Sequence, residues 1–370
     1  MTADWVVPRY GTGSIADVVP SVCDGLAVPG AWNLLQLPEA DRVVVLVIDG
    51  LGHHQLQENA DLAPTLLAAQ RGVITSVTPA TTPVALTSIG TGAAPGGHGV
   101  VGASFRLPDT GELLWPLGWR GNPSPRHIQP DETWWERSTR AGVEVAIVSP
   151  RAYAEGGLTG AALRGGAYVG ADGPGERVAE VAAAVRRGRR SLVYAYWEFL
   201  DRAAHMHGVG SSHYRAELEA ADAFVAQLSQ ALPRGAVLIV TADHGLVDCP
   251  EVVDLDTLPD LWPDVSIAAG EPRFRHVYTR PGSAEAVASV WQESLSDAAV
   301  VVTREEAIDR GWFGPVEPDV RERIGDVLAV ATGRVRLALP SRDPAVSGLI
   351  GQHGSLTAAE MDVPLVVIEA

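Results

Sequence analysis

The sequence predicts an α/β protein: a mostly parallel sheet sandwiched by helices, with a small α+β cap insertion. Three observations carry this. Continuous β-branched apolar runs recur, as they do in strands buried on both faces of a parallel sheet. Amphipathic helical patterns, several of them ended by Gly, lie between the runs. From 255 to 348 the texture changes to shorter strands and helical patches, after which a last strand follows. Alternation of this kind builds a sheet covered on both sides.

In chain order, the first run is "RVVVLVID" (42–49), followed by a helical pattern, "DLAPTLLAAQRG" (61–72). Next comes "TTPVALTSIGTG" (81–92), where Thr82 before Pro83 fits an N-cap with proline at the first helical position, loosened at its end by Gly90 and Gly92. The helix "DETWWERSTRAG" (131–142) leads to the strand "VEVAIVS" (143–149), and "ERVAEVAAAVRRG" (176–188) to "SLVYAYW" (191–197). The helix "SSHYRAELEAADAFVAQLSQAL" (211–232) precedes "AVLIVTADHG" (236–245). The insertion, 255–348, shows strands "RFRHVYTR" and "RVRLALP" around helical patches "SAEAVASVWQESL" and "PDVRERIGDVLAVA". Residues 1–254 with 349–370 form the expected α/β core, and the sheet resumes at "VPLVVIEA".

Composition narrows the chemistry. The 370 residues are 46% hydrophobic, ample for a real core, and their formal net charge of −17 argues against tracking polymeric nucleic acid, which needs basic stripes. All 28 basic residues are Arg, which removes lysine-dependent phosphate loops and Schiff-base chemistry. An anionic substrate must then be held by Arg, backbone N–H groups or metal ions. Cys23 and Cys249 cannot make a disulfide framework or a zinc cluster and read as reduced thiols. With no long apolar stretch and with an acid and a proline in the opening "MTADWVVPRYGTG", the sequence gives the expectation of a cytoplasmic protein without membrane association. It says nothing of oligomeric state.

In open α/β sheets function gathers where strands end. Asp49 ends the first run, Asp201 and His205 follow "SLVYAYWEFL" at i, i+4 spacing, Asp243 and His244 end "VLIVTADHG", and His353 precedes the last strand. One Asp after a strand is most often a cap or turn former, and a lone His a surface residue. Six such residues at the edges of one sheet instead suit two divalent ions, Zn²⁺ or Mn²⁺. Thr82, at a positive helix end and bound to a metal, then becomes a nucleophile without a histidine base. Thr81 is the alternative.

These residues resemble the alkaline phosphatase superfamily, and more closely its nucleotide pyrophosphatase/phosphodiesterase branch. The matches are "VVLVIDGLG", a threonine about thirty residues later followed by "TG…HG", "DRAAHMHG", "TADHG" and "HGSLTAAEMDVPL", spanning 49–365. The resemblance implies an alkaline-phosphatase-like fold. It also implies Asp49, Thr82, Asp243 and His244 around one metal, with Asp201, His205 and His353 around the other. Its chemistry would be phosphodiester cleavage through a phosphorylated Thr82. Where relatives hold a phosphoryl oxygen with an asparagine, "HGVVGASFR" has Ala103.

Candidate substrate contacts are Arg106, Trp115 and Trp119 in the Trp- and Pro-rich segment 106–135, together with Arg273 and Arg275, which alternate along a strand of the insertion. Relatives within the superfamily include bacterial cyclic di-AMP phosphodiesterases, and a cyclic or linear dinucleotide ranks first among small nucleotide substrates. A phosphomonoesterase, phosphonate hydrolase or phosphomutase on the same site stays open, as does an inactive nucleotide-binding protein.

Overall fold

The computed structural model describes residues 5–370; residues 1–4, the start of the stretch on which the cytoplasmic expectation rests, lie outside it. Seven strands form the central sheet in the spatial order Gln70–Thr75, Asp362–Glu369, Ala236–Thr241, Arg42–Ile48, Ser191–Trp197, Glu144–Ser149, Ala167–Gly170. The strand Arg42–Ile48 pairs in parallel with both neighbours, Val45 standing opposite Tyr194 and Ile239. Its residues Val44 to Ile48 are fully buried, which is why this run carries no polar alternation. The helix Pro174–Val185 packs on Ser191–Trp197 and Glu144–Ser149, and Ser212–Ala231 packs on that helix.

Only Asp362–Glu369 runs against its neighbours. The chain returns from the insertion at the carboxyl edge of the parallel strands, with no helix to carry it back across the sheet. It therefore enters its strand from that edge, and the loop holding His353 lies where the loops after the parallel strands lie.

The inserted segment builds its own antiparallel sheet in the order Val265–Glu271, Phe274–Thr279, Val327–Ala331, Ala299–Thr303, with the helix Ala284–Leu295 against it. Side chains alternate along Val327–Ala331. Val327, Ala329 and Ala331 enter a separate small core with Trp291 and Leu337, while Leu328 and Val330 join the main core with Phe313. At its base Val247–Asp248 pairs with Gly351–Gln352, and Glu251–Asp254 pairs with Val335–Ala338. This stem begins before residue 255 and brings the segment after His244 beside the segment that carries His353.

Local readings differ from the sequence pattern in four places. The helix predicted over 61–72 is confined to Pro64–Ala68, because the chain turns into the edge strand Gln70–Thr75. That strand and Ala167–Gly170 both sit at sheet margins and are only partly buried along most of their length, so neither shows a β-branched run. The helical patch at 318–331 is a 3₁₀ turn, Arg321–Arg323, and then a central strand, where pairing on both sides overrides local pattern. Lastly, Thr81 is the N-cap and Thr82 the first residue of the helix Thr82–Thr91, which Gly92 closes in left-handed conformation.

Candidate active site

Asp49 leaves the strand Arg42–Ile48 almost wholly buried; its N–H donates to Trp197 O at 2.9 Å, and its Oδ2 accepts from the Tyr196 hydroxyl. Gly50 follows with φ +75°, and a Cβ there would stand 2.5 Å from Leu246 Cδ1 and 3.1 Å from Asp201 Cα, so glycine permits the close approach of these two loops. Asp243, fully buried, accepts through Oδ1 from the N–H groups of Gly50 and His244, both at 3.1 Å. Asp201 and His205 share one face of the helix Phe199–His207, with His205 Nε2 3.3 Å from Asp201 Oδ1.

Each of the three imidazoles spends Nδ1 on a backbone carbonyl. His205 Nδ1 donates to Gly351 O at 2.7 Å, His353 to Ala80 O at 3.0 Å, and His244 to Gly245 O at 3.1 Å. That fixes the tautomer and leaves each Nε2 lone pair free, the arrangement of metal-ligating histidines. The His244 and His353 rings stack with centroids 3.7 Å apart. Two groups emerge: Asp49, Asp243 and His244, and Asp201, His205 and His353, the ligand atoms within each lying within 4.8 Å of one another.

The donor set fits a pair of divalent cations. Asp49 Oδ1, Asp201 Oδ1 and Asp243 Oδ2 are buried with no hydrogen-bond partner among the described residues, a costly condition for carboxylate oxygens. Burial, then the charges of Asp243 and Asp201, push the Asp49 carboxyl well above the usual carboxylate range. Burial also raises Asp201, offset in part by His205 and His244. His353 is held well below the usual imidazole range by burial and by the two other histidines. Positive charge between these groups relieves the penalties on the carboxylates, and His353 is already held in the neutral form that ligates a cation.

Thr82 Oγ1 lies 3.2 Å from His244 Nε2, at the start of its helix and beside the first group. Thr81 turns elsewhere, its hydroxyl donating to Glu271 at 3.0 Å. A cleft of about 500 Å³ opens over the site. Thr82, Leu86, Trp119, Tyr153, Glu271 and His353 are among the residues that line it.

The profile of the type I phosphodiesterase/nucleotide pyrophosphatase family matches residues 43–356. The chain belongs to this family. It is thus a hydrolase of the class that cleaves phosphoric esters. Among solved structures, murine ectonucleotide pyrophosphatase/phosphodiesterase 5 is similar with a TM-score of 0.70 at 19% identity, over 88% of this chain and 87% of that one. Phosphonoacetate hydrolase from Sinorhizobium meliloti 1021, in complex with phosphonoformate, gives a TM-score of 0.70 at 23% identity, over 90% and 91%. An inactive threonine-to-alanine form of the murine protein in complex with AMP gives 0.69 at 19%, over 88% and 87%. At these identities the likeness is one of fold. The curated proteins offer no match. Among the described residues no helix is long and apolar enough to cross a membrane.

Family membership leaves the substrate contacts to this chain's own geometry, and several expectations need correction. Arg273 and Arg275 do share a face, but that face packs on the stem. Arg273 pairs with Glu360 (2.6 and 3.0 Å), Arg275 pairs with Asp343 and donates to Leu337 O, and both are fully buried. Arg106 lays its guanidinium 4.5 Å over the Tyr278 ring and does not line the cleft. Trp115 is 37% exposed and also outside the lining. Trp119 does line the cleft, its indole N–H donating to Pro123 O at 2.8 Å and its face against Gly157.

Glu271, Tyr196, Arg120 and Arg202 are cleft residues that sequence reasoning did not single out. Tyr196, near the carboxyl end of a buried strand, was in principle visible as a polar group needing a partner. Glu271 gave no signal, since only the fold of the insertion carries it to Thr81.

Proposed function

We propose that the chain is a two-metal phosphodiesterase that hydrolyses a small nucleotide phosphodiester, a cyclic or linear dinucleotide first among them, through a phosphorylated Thr82. The observation that carries this reading is the pair of three-residue ligand groups, each with unpaired buried donor atoms, next to the Thr82 hydroxyl. Asp49, Asp243 and His244 would hold one cation, and Asp201, His205 and His353 the other. Divalent cations bound there would supply Lewis-acid stabilisation of negative charge at the reaction centre.

Thr82 Oγ1 attacks phosphorus in line with the ester oxygen of the departing alcohol. The Thr82 hydroxyl gives up its proton to solvent, the new P–O bond to threonine forms as the old ester bond breaks, and the alcohol leaves with a proton from solvent. Water then attacks the phosphothreonine, the P–O bond to Thr82 breaks, and the hydroxyl is restored as the phosphomonoester departs. The positive end of the helix Thr82–Thr91 faces the charge that develops in both halves. Leu86, Trp119, Leu158 and Leu163 give the cleft an apolar wall for the organic group.

A second reading has its own support: the similarity to phosphonoacetate hydrolase, over nine-tenths of both chains, favours hydrolysis of a phosphonate on the same site. Rates on bis-p-nitrophenyl phosphate, p-nitrophenyl phosphate and phosphonoacetate, with Zn²⁺ and with Mn²⁺, separate the readings, and a nucleotide panel identifies the ester. Replacement Thr82→Ala should keep fold and metal content while turnover falls at least about 10³-fold. Undiminished turnover in Thr82→Ala, with loss in Thr81→Ala, would transfer the role to Thr81.

A further inference from the structure

One acid of the cleft is spent on neither ligand group. Glu271 closes the inserted strand Val265–Glu271 and is only 4% exposed, yet it lines the cleft over the reaction centre. Its Oε2 accepts from the hydroxyl of Thr81, the neighbour of Thr82, at 3.0 Å. Its Oε1 is buried and has no hydrogen-bond partner among the described residues. A carboxyl oxygen in that condition is costly to keep.

The usual partners of a buried acid are engaged elsewhere. Arg273 is held by Glu360 and Arg275 by Asp343, and among the described residues no arginine pairs with Glu271. His353 Nδ1 stands 3.6 Å from Oε2 but donates to Ala80 O at 3.0 Å. Glu271 belongs to neither three-residue ligand group, so the cations those groups would hold do not account for Oε1.

The surrounding backbone makes room for this carboxyl. A Cβ at Gly354, which has φ +124°, would stand 2.8 Å from both the carboxyl carbon and Oε1, so glycine is what admits the side chain. Gly270 N donates to Ser104 O at 3.0 Å, and Ser104 Oγ donates to Gly270 O at 3.1 Å. These bonds tie Glu271 to the loop whose Ala103 also lines the cleft, and alanine has no polar side-chain atom to offer Oε1. A substrate that displaces solvent from the cleft must then bring a donor to Oε1 or leave it unpaired.

We infer, on the reading of this cleft as a phosphoryl-transfer site, that Glu271 is a specificity-determining residue whose Oε1 accepts a hydrogen bond from a hydroxyl or ammonium group of the substrate. The substrate class is then a phosphoryl compound whose organic part carries that donor near the scissile group. Nearness follows from the chain, because adjacent residues such as Thr81 and Thr82 have Cα atoms only about 3.8 Å apart.

The test uses two sets of competitors against bis-p-nitrophenyl phosphate hydrolysis by the Zn²⁺-loaded chain. One set is ethyl, 2-hydroxyethyl and 2-aminoethyl phosphate; the other is propyl, 3-hydroxypropyl and 3-aminopropyl phosphate. In at least one set a donor-bearing member should bind at least about 10-fold more tightly than its alkyl parent, as expected of a hydrogen bond to a carboxylate. In Glu271→Gln the bond from Thr81 can persist while an N–H donor replaces the free oxygen, and the ratio should fall to within about 2-fold with melting temperature and metal content kept. Glu271→Leu serves as the second variant, with the same expected ratio. A gain with the amines alone assigns the donor to an ammonium, with the alcohols alone to a hydroxyl, and with both to either group. No gain in either set with the unsubstituted chain overturns the role of Glu271, whatever the variants do, and so does a gain that survives in a folded variant. Metal lost from Glu271→Gln, read by elemental analysis, moves Glu271 into the ligand set and overturns the role equally. Absence of bis-p-nitrophenyl phosphate hydrolysis instead strikes the proposed function. Calorimetric binding of the same compounds to the Zn²⁺-loaded chain then decides the role of Glu271 by itself.

Discussion

Replacing Asp243 by Asn should move stability in opposite directions with and without metal. Asp243 and Asp49 present carboxylate oxygens within 4.8 Å of each other, and two unit charges at that distance repel by about 3.5 kcal/mol at an effective dielectric constant of 20. Burial raises Asp49 towards its neutral form, which removes part of this repulsion and leaves an expected gain of about 1–3 kcal/mol in the metal-free chain. The Asn side-chain oxygen can still accept from the Gly50 and His244 N–H groups. For 370 residues that gain is a rise of about 1–4 °C in melting temperature. With metal the sign reverses. Loss of one ligand that weakens binding by about 1000-fold removes about 4.1 kcal/mol of linkage stabilisation, which exceeds the metal-free gain and leaves a net fall of about 1–3 kcal/mol, or about 1–4 °C. Calorimetric melts of chelator-dialysed and Zn²⁺-loaded protein, with elemental analysis alongside, read both terms. If Asp243→Asn lowers both melts equally, or keeps full metal content, the view of this cluster as mutually repelling ligands fails.

Further expectations follow from other parts of the molecule. Burial holds His98 and His276 at about 3, far below the unfolded value near 6.5, so the folded state excludes a proton that the unfolded chain takes up. Their contribution is complete above about pH 6.5 and is lost as pH falls towards 3, about 2 kcal/mol each by pH 5. Denaturant melts at pH 7.5 and 5 should show a drop about 4 kcal/mol smaller in His98→Gln/His276→Gln, and an equal drop would refute the assignment. Replacing Arg273 by Met leaves Glu360 buried without its partner and should cost about 3–5 kcal/mol with KM unchanged. A raised KM without loss of stability would return Arg273 to the substrate. The Thr82→Ala variant, with metals retained and turnover lost, completes the set.

The six metal-ligand candidates were legible because each follows or precedes a run whose apolar, β-branched character marks a buried strand, and polar groups in such places need partners. The rule that function gathers at strand ends did not itself require His353 to join them. That depended on the last strand running against its neighbours, which the return of the chain from the insertion imposes. Arg273 and Arg275 show the opposite outcome: their spacing correctly put them on one face, but spacing cannot say what that face meets. It meets Glu360 and Asp343, far along the chain, and both guanidinium groups are consumed in buried ion pairs.

By itself, then, the amino-acid order determined the layered fold, the residue types of the candidate ligand set and the threonine at a helix start, because these depend on local periodicity and residue type. Tertiary structure alone decided that Thr81 turns to Glu271 while Thr82 faces His244, and that the arginines lining the cleft are Arg120 and Arg202. The physical reason is that a charged side chain is committed by its nearest counter-charge, and that neighbour comes from contacts between segments far apart in the chain.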